Sequence, residues 1–287
     1  MNDRRWAEIE IEATESAVDA VGDILNSAGC SGFVVRDAIV PTTVAGYLPV
    51  DDRLEDRILH AKDALSQLSS FGVDGASDEL TIRYVEEADW ANAWKAYYKP
   101  IEIGRKLIVC PPWEDLPEGN ERLAIIIDPG MAFGTGSHPT TQLCLAALED
   151  YIVPGMRVAD VGTGSGILAI AAAKLGAGPI VATDNDPLAV SIAAENIAEN
   201  HVDVATQTAE PTGTFDLIVA NILADVVIDY ADRFAEWIRP GGTLIASGII
   251  DARESDVRLS VECAGFTPLE TQSSGEWVAL VFRRLES

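Results

Sequence analysis

Between Val158 and Ile170 the chain reads VADVGTGSGILAI. A short apolar strand runs into a turn with glycine at every second position, and an alanine-rich helix starts directly behind it. A glycine turn between a buried strand and a buried helix belongs to parallel sheets covered by helices. The surroundings repeat the alternation. Strand MRVADV (156–161) leads to helix ILAIAAAKLG, strand PIVATD (179–184) to helix PLAVSIAAENIAEN, and a short strand near VDVATQT precedes strand FDLIVAN (215–221). A helix over 224–238, the turn RPGG, strand TLIASGI, a helix near 253–264 and strands FTPLETQ and EWVALVF follow. This predicts a mostly parallel sheet with both faces covered. The last two strands are separated only by SSG, too few residues for a crossover, so they are expected to form an antiparallel hairpin.

Upstream of this alternation the pattern changes. WAEIEI (6–11) alternates with period two, SAVDAVGDILNSAG (16–29) has helical spacing, and FVVRD (33–37) and TVAGYL (43–48) are short strands. A second helix over 53–71 precedes strand LTIRYVE (80–86), which completes the βαββαβ order of a ferredoxin-like α+β domain. That domain carries no obvious chemistry, so recognition suits it better than catalysis. EEADWANAWKAYYKP (86–100) is expected to be a linker helix ending at Pro100. Trp90, Trp94 and Tyr97 recur at helical spacing there, which fits packing on a neighbouring domain more simply than contact with a substrate. From residue 101, strands are expected at IEIGRKLIVC and RLAIII, then a loop and a helix at TTQLCLAALED. The expected organisation is a domain over 1–86, a linker over 87–100 and an α/β domain over 101–287.

Composition removes several functions. No apolar run reaches the roughly 18 residues of a membrane span, and the start MNDRRWAEIEIEA lacks a signal-peptide core. A cytoplasmic protein without a membrane partner is expected. The four cysteines, Cys30, Cys110, Cys144 and Cys263, are scattered, which suggests buried thiols and no metal site. The formal charge is −26, with 9 basic and 19 acidic residues through residue 100 and 11 and 27 beyond it. Such a field repels a phosphate backbone, so it disfavours a nucleic-acid substrate and favours a basic protein partner. A surface adapted to solubility or to salt would look the same.

In an open α/β sheet, ligands bind beyond the carboxyl ends of the strands where strand order reverses. Gly162, Gly164 and Gly166 are placed there, and Asp184 ends the next strand, 22 positions after Gly162. Its carboxylate can accept from both hydroxyls of an adenosine ribose. Dinucleotide sites favour GxGxxG, whose helix start receives a pyrophosphate. The spacing here is GxGxG, preceded by Asp160, which suits the ammonium and sulfonium of S-adenosylmethionine better. Asn221 ends strand FDLIVAN, where its amide oxygen can accept from an incoming amine; taken alone, such an Asn is most often a turn or cap residue, but in line with the glycine turn and Asp184 the binding role is favoured.

A second GTGS copy lies 28 residues upstream, in DPGMAFGTGSHPTT (128–141). No lysine follows its glycines, so it is not a Walker-type phosphate loop. His138 there is expected to shape the loop, with Thr140 or Thr141 capping the helix, rather than to act as a base. This motif, together with VADVGTGSGILAIAAAKLGA, ATDNDP, DLIVANILAD and WKAYYKPIEIG followed by PPWE, resembles the PrmA family of ribosomal protein uL11 methyltransferases. The resemblance covers nearly the whole chain. It implies a seven-stranded Rossmann-like domain using S-adenosylmethionine, with an N-terminal domain that recognises uL11, free or on the large subunit. It also implies cofactor contacts at Thr141, Gly162, Asp184 and Asn221, with Phe133 and Gly134 beside the cofactor, and transfer to lysine and N-terminal amines by a monomer. NIL stands where adenine or glutamine-amide methyltransferases carry Asn-Pro-Pro-Tyr, which argues against those substrates. A methyltransferase of the same fold acting on another protein or a small amine, and a non-catalytic ribosome assembly factor, are the alternatives.

Overall fold

The computed structural model describes residues 5–14, 17–30, 33–36, 42–68, 75–86, 98–128 and 136–286. The chain divides into two compact units, Met1–Tyr98 and Lys99–Ser287. Of the linker helix expected over 86–100, Glu86 ends a strand, 98–100 are not helical, and 87–97 lie outside the described residues.

In the first unit, β1 (Arg5–Ala13), α1 (Val18–Ser27), β2 (Phe33–Arg36), β3 (Thr42–Pro49), α2 (Leu54–Gln67) and β4 (Ala76–Glu86) follow the βαββαβ order. The strands form one antiparallel sheet in the order β2-β3-β1-β4. The alternation in β1 explains its placement: Ala7, Ile9, Ile11 and Ala13 are buried with Val21 and Leu25 of α1 and Ala61 and Leu65 of α2. Each isoleucine removed from water contributes about 1.5–3 kcal/mol. A one-residue slip would put Glu8, Glu10 and Glu12 there instead.

The second unit begins with a small sheet, β5 (Ile101–Ile103), β6 (Leu107–Cys110) and β7 (Leu123–Ile126), in that order. Helix α3 (Pro139–Tyr151) braces it, because the buried carboxylate of Glu149 accepts from the backbone N–H groups of Arg105, Lys106 and Leu107 at 2.8, 2.8 and 3.0 Å. The chain then alternates β8 (Val158–Val161), α4 (Ile167–Lys174), β9 (Ile180–Thr183), α5 (Pro187–Glu199), β10 (Ala205–Gln207) and β11 (Phe215–Asn221). Next come α6 (Ala224–Asp229), α7 (Ala231–Trp237), β12 (Ile238–Ile250), α8 (Glu254–Cys263), β13 (Phe266–Ser274) and β14 (Trp277–Arg284).

The seven strands lie in the order β10-β9-β8-β11-β12-β14-β13. The first five run parallel, and β14 is antiparallel to both β12 and β13, as the SSG connection requires. Helices cover both faces, so β11 is apolar at successive positions: Leu217 and Val219 enter one core, Ile218 and Ala220 the other. Strand order reverses between β8 and β11, which brings their carboxyl ends side by side.

Three local expectations change. The helix over 224–238 is two helices, broken at Tyr230 (φ −93°, ψ 0°), whose ring meets those of Phe234 and Trp237 edge-on at 6.0 Å. The RPGG turn lies inside β12 as an irregularity between Ile238 and Thr243, closed by the Arg239–Asp216 ion pair. Cys263 is exposed, whereas Cys30, Cys110 and Cys144 are buried.

Candidate functional site

At the β8 end the backbone leaves the strand through Gly162 (φ 75°), Gly164 (φ 53°) and Gly166 (φ 84°). L side chains rarely adopt these left-handed conformations, which explains the alternate-glycine spacing. The N–H groups of Gly162 and Thr163 both donate to Thr183 O, at 2.8 and 2.9 Å, and lock the turn onto β9. Asp160 is fully buried beneath it. Its Oδ2 accepts from Thr163 Oγ1 at 2.6 Å and from Ala169 N at 3.0 Å, so one carboxylate joins strand, turn and helix. Its Oδ1 is buried without a partner among the described residues. Burial pushes the Asp160 carboxyl up to about 7, against the two hydrogen bonds that pull it down and with the charge of Asp184 adding to the rise.

Asp184 follows β9, where Oδ2 accepts from Gly164 N and Oδ1 from Asp186 N, both at 3.0 Å. Asp186 in turn caps α5 by accepting from Leu188 N at 2.9 Å, with Pro187 at the first helical position. The start of α5 therefore fixes the carboxylate expected to hold a ribose.

Asn221 ends β11 opposite Ser247 of β12. Its Nδ2 donates to Thr141 Oγ1 at 3.2 Å, and its Oδ1 is buried without a partner among the described residues. Thr141 is fully buried in the first turn of α3. One turn later, Cys144 lies against Asp160 and Ser247, and burial holds its thiol far above the ordinary range. It fills space and offers no thiolate at neutral pH.

Ile222, the next residue, is gripped from two sides. A Cβ on Gly162 would overlap its side chain, and a Cβ on Gly248 (φ 83°) would overlap its backbone. Sequence reasoning missed Gly248. Its signal was an isolated glycine within an apolar strand, which marks a bulge or a close backbone approach; the β12–β14 register does shift between Ala246 and Ile249.

The 128–141 motif joins the same end of the sheet. Gly136 (φ 89°) packs so closely on Val109 and Ile167 that a Cβ would lie 2.9 Å from Val109 Cγ1 and 3.3 Å from Ile167 Cδ1. Ile167 opens the helix behind the second glycine turn, so Gly136 of the first GTGS copy and Ser165 of the second both meet it. The helix cap is a correction. His138, rather than Thr140 or Thr141, occupies the cap position, with Nδ1 accepting from Thr140 N at 3.3 Å and Pro139 starting the helix. The His138 ring meets Trp277 edge-on at 4.9 Å. Phe133 and Gly134 lie outside the described residues.

Asp160, Gly162, Gly164, Asp184, Asn221 and Thr141 thus converge where β8 and β11 diverge. Two buried acceptors, Asp160 Oδ1 and Asn221 Oδ1, have no hydrogen-bond partner among the described residues, and glycines leave the backbone bare beside them. Such a set suits a ligand that brings positive charge and N–H or O–H donors. Among the described residues no group of three or more His, Cys, Asp or Glu could hold a metal ion, and no helix is long and apolar enough to cross a membrane.

The chain matches the sequence profile of the ribosomal protein L11 methyltransferase family (PrmA) over residues 5–285. It is 42% identical over 300 residues to a ribosomal protein L11 methyltransferase of Symbiobacterium thermophilum, spanning 96% of this chain and 98% of that one. A ribosomal protein L11 methyltransferase of Pelotomaculum thermopropionicum is 42% identical over 307 residues, with coverage of 97% and 98%. The crystal structure of ribosomal protein L11 methylase from Lactobacillus delbrueckii subsp. bulgaricus superposes with a TM-score of 0.62 at 38% identity, covering 66% of this chain and 100% of that one. With these relatives and this sheet, the chain belongs to the ribosomal protein L11 methyltransferase family.

Proposed function

We propose that this protein transfers methyl groups from S-adenosylmethionine to lysine side-chain and N-terminal amines of ribosomal protein L11 (uL11). One observation carries the reading. Asn221 Oδ1, buried at the end of β11 without a partner among the described residues, lies beside a glycine turn whose Gly164 N–H is held by Asp184.

When bound, S-adenosylmethionine supplies an electrophilic methyl carbon on a sulfonium. Asp184 is positioned to accept from the ribose hydroxyls, exchanging its hydrogen bond from Gly164 N. Gly162 and Gly164 admit the cofactor against bare backbone, Thr141 stands beside Asn221, and family resemblance adds Phe133 and Gly134 as cofactor contacts. Asp160, buried under the turn with its carboxyl raised to about 7, becomes a counter-charge when a cationic sulfonium nearby favours its ionised form. Asn221 Oδ1 accepts one N–H of the target amine and aims its lone pair in line; holding the reactants at about 3 Å in that geometry provides much of the rate. A free lysine amine titrates at about 10.4, so proton loss must precede attack. Desolvation in the crevice beside a cationic sulfur favours the neutral amine. No dedicated general base is assigned.

Residues 1–86 act as the recognition domain for L11, either free or in the large subunit, and 87–100 act as the linker. Several amines on one partner require several docking poses, which a movable recognition domain supplies. The enzyme works as a cytoplasmic monomer without nucleic-acid contact. A thermal-shift comparison tests the cofactor reading: S-adenosylmethionine should raise the melting temperature and a nicotinamide dinucleotide should not. The reverse order would make the turn a dinucleotide site.

A further inference from the structure

Two asparagines outside every motif named above, Asn196 on the inward face of α5 and Asn200 at its C-cap four residues later, are both buried. That face also carries Ala193 and Ile197, so an amide there occupies a position that helical periodicity gives to the core. Asn196 Nδ2 donates to the carbonyl of Ser165, inside the glycine turn, at 2.8 Å. Asn200 Nδ2 donates to the Asn196 carbonyl at 2.9 Å and to Ile126 O at 2.6 Å, while its Oδ1 accepts from Ile126 N at 2.8 Å. The side chain of Asn200 thus pairs with Ile126 through both backbone groups, as a neighbouring strand would. Gly166 packs on Ala193, where a Cβ would lie 3.2 Å from the Ala193 Cα, and the opposite end of α5 begins at the Asp186 cap beside Asp184.

We infer that Asn196 and Asn200 are positioning residues for cofactor binding: they hold the glycine turn at fixed distance from β7, the strand that leads into the 128–141 motif. The glycine turn and β7 are then one rigid piece with α5 as the strut. This role rests on the reading that the turn holds an adenosyl cofactor. An apolar side chain of the same size would fill the space and leave the Ser165 carbonyl without its donor. The amide is needed for its donor, and at Asn200 for donor and acceptor together.

The test uses the full-length protein and S-adenosylhomocysteine as the probe. Calorimetric affinity, melting temperature and amide hydrogen exchange over 162–166 are measured for Asn196→Asp and Asn200→Asp. Ile197→Val serves as a packing control on the same helix, and Glu195→Gln as an exposed charge control. Each Asn→Asp variant is expected to weaken binding about tenfold, with faster exchange over 162–166. Ile197→Val should lower the melting temperature and keep wild-type affinity. If either Asp variant does not fold, Asn196→Ala and Asn200→Ala replace them. Affinities within twofold of wild type, in variants whose melting temperatures fall as far as that of Ile197→Val, would overturn the positioning role. A wild-type protein that does not bind S-adenosylhomocysteine would instead remove the cofactor reading beneath it.

Discussion

Asn221 and Thr141, 80 positions apart in the chain, meet at 3.2 Å with the amide donating to the hydroxyl. The contact engages one end of the amide, and the other end, Oδ1, is buried without a partner among the described residues. An acceptor held in place before substrate arrives costs no reorganisation during reaction.

Asn221→Ala should lower turnover by roughly 10²-fold while cofactor affinity stays within a few-fold of wild type, because the lost interaction is with the amine. Steady-state kinetics paired with calorimetry checks this. A loss confined to cofactor affinity would assign Asn221 to cofactor binding alone.

Thr141→Val keeps the shape and removes the acceptor, so the Asn221 amide loses its orientation. Turnover should fall about tenfold, and Thr141→Ser should restore most of it. If valine and serine behave alike, packing rather than the hydroxyl sets the amide.

Asp160 connects the site to pH. Unfolded, it titrates near 3.8, and folded near 7. Between these values the native state binds more protons than the unfolded state, so the stability contribution is full below about 3.8, declines as pH rises and is gone above about 7. The slope is at most about 1.4 kcal/mol per pH unit. Asp160→Asn should abolish this decline and melt no lower than wild type at alkaline pH, as seen by calorimetric scans across pH. Asp160→Asn should also weaken binding of the cationic S-adenosylmethionine more than of neutral-sulfur S-adenosylhomocysteine. Equal losses for the two ligands would show that Asp160 does not act on the sulfonium.

Much of the fold is visible in local pattern. The alternation around β8 to β11, the glycine turn with Asp184 and the closing hairpin depend on residues near one another in the chain, and periodicity reports such relations. Asn196 and Asn200 owe their roles to contacts with Ser165 and Ile126, which nothing nearby in sequence signals, whereas Gly248 shows in sequence as an isolated glycine in an apolar strand but its contact with Ile222 does not. His138 as the cap was hidden for a related reason: threonine is the commoner cap, and only the extended backbone at 138 (φ −69°, ψ 137°) moves the helix start one residue earlier. The break at Tyr230 follows from an aromatic cluster with Phe234 and Trp237 rather than from any helix-breaking residue.

Gly162→Ala and Gly248→Ala press on Ile222 from opposite sides. Each forces a left-handed backbone on alanine, costing about 1–2 kcal/mol before any overlap. Both should melt lower than wild type and lose turnover, since Ile222 follows Asn221 directly. Gly155→Ala, also at positive φ (85°) but with open space around its Cβ, provides the comparison: it should lose stability and keep turnover.

The central claim is tested most directly by intact-mass analysis of ribosomal protein L11 after incubation with this protein and S-adenosylmethionine, followed by peptide mapping. The account predicts L11 heavier by whole methyl groups on lysine and N-terminal amines, with the gain slowed by roughly 10²-fold in Asn221→Ala. An unchanged L11 mass with wild-type protein that binds S-adenosylmethionine would contradict it.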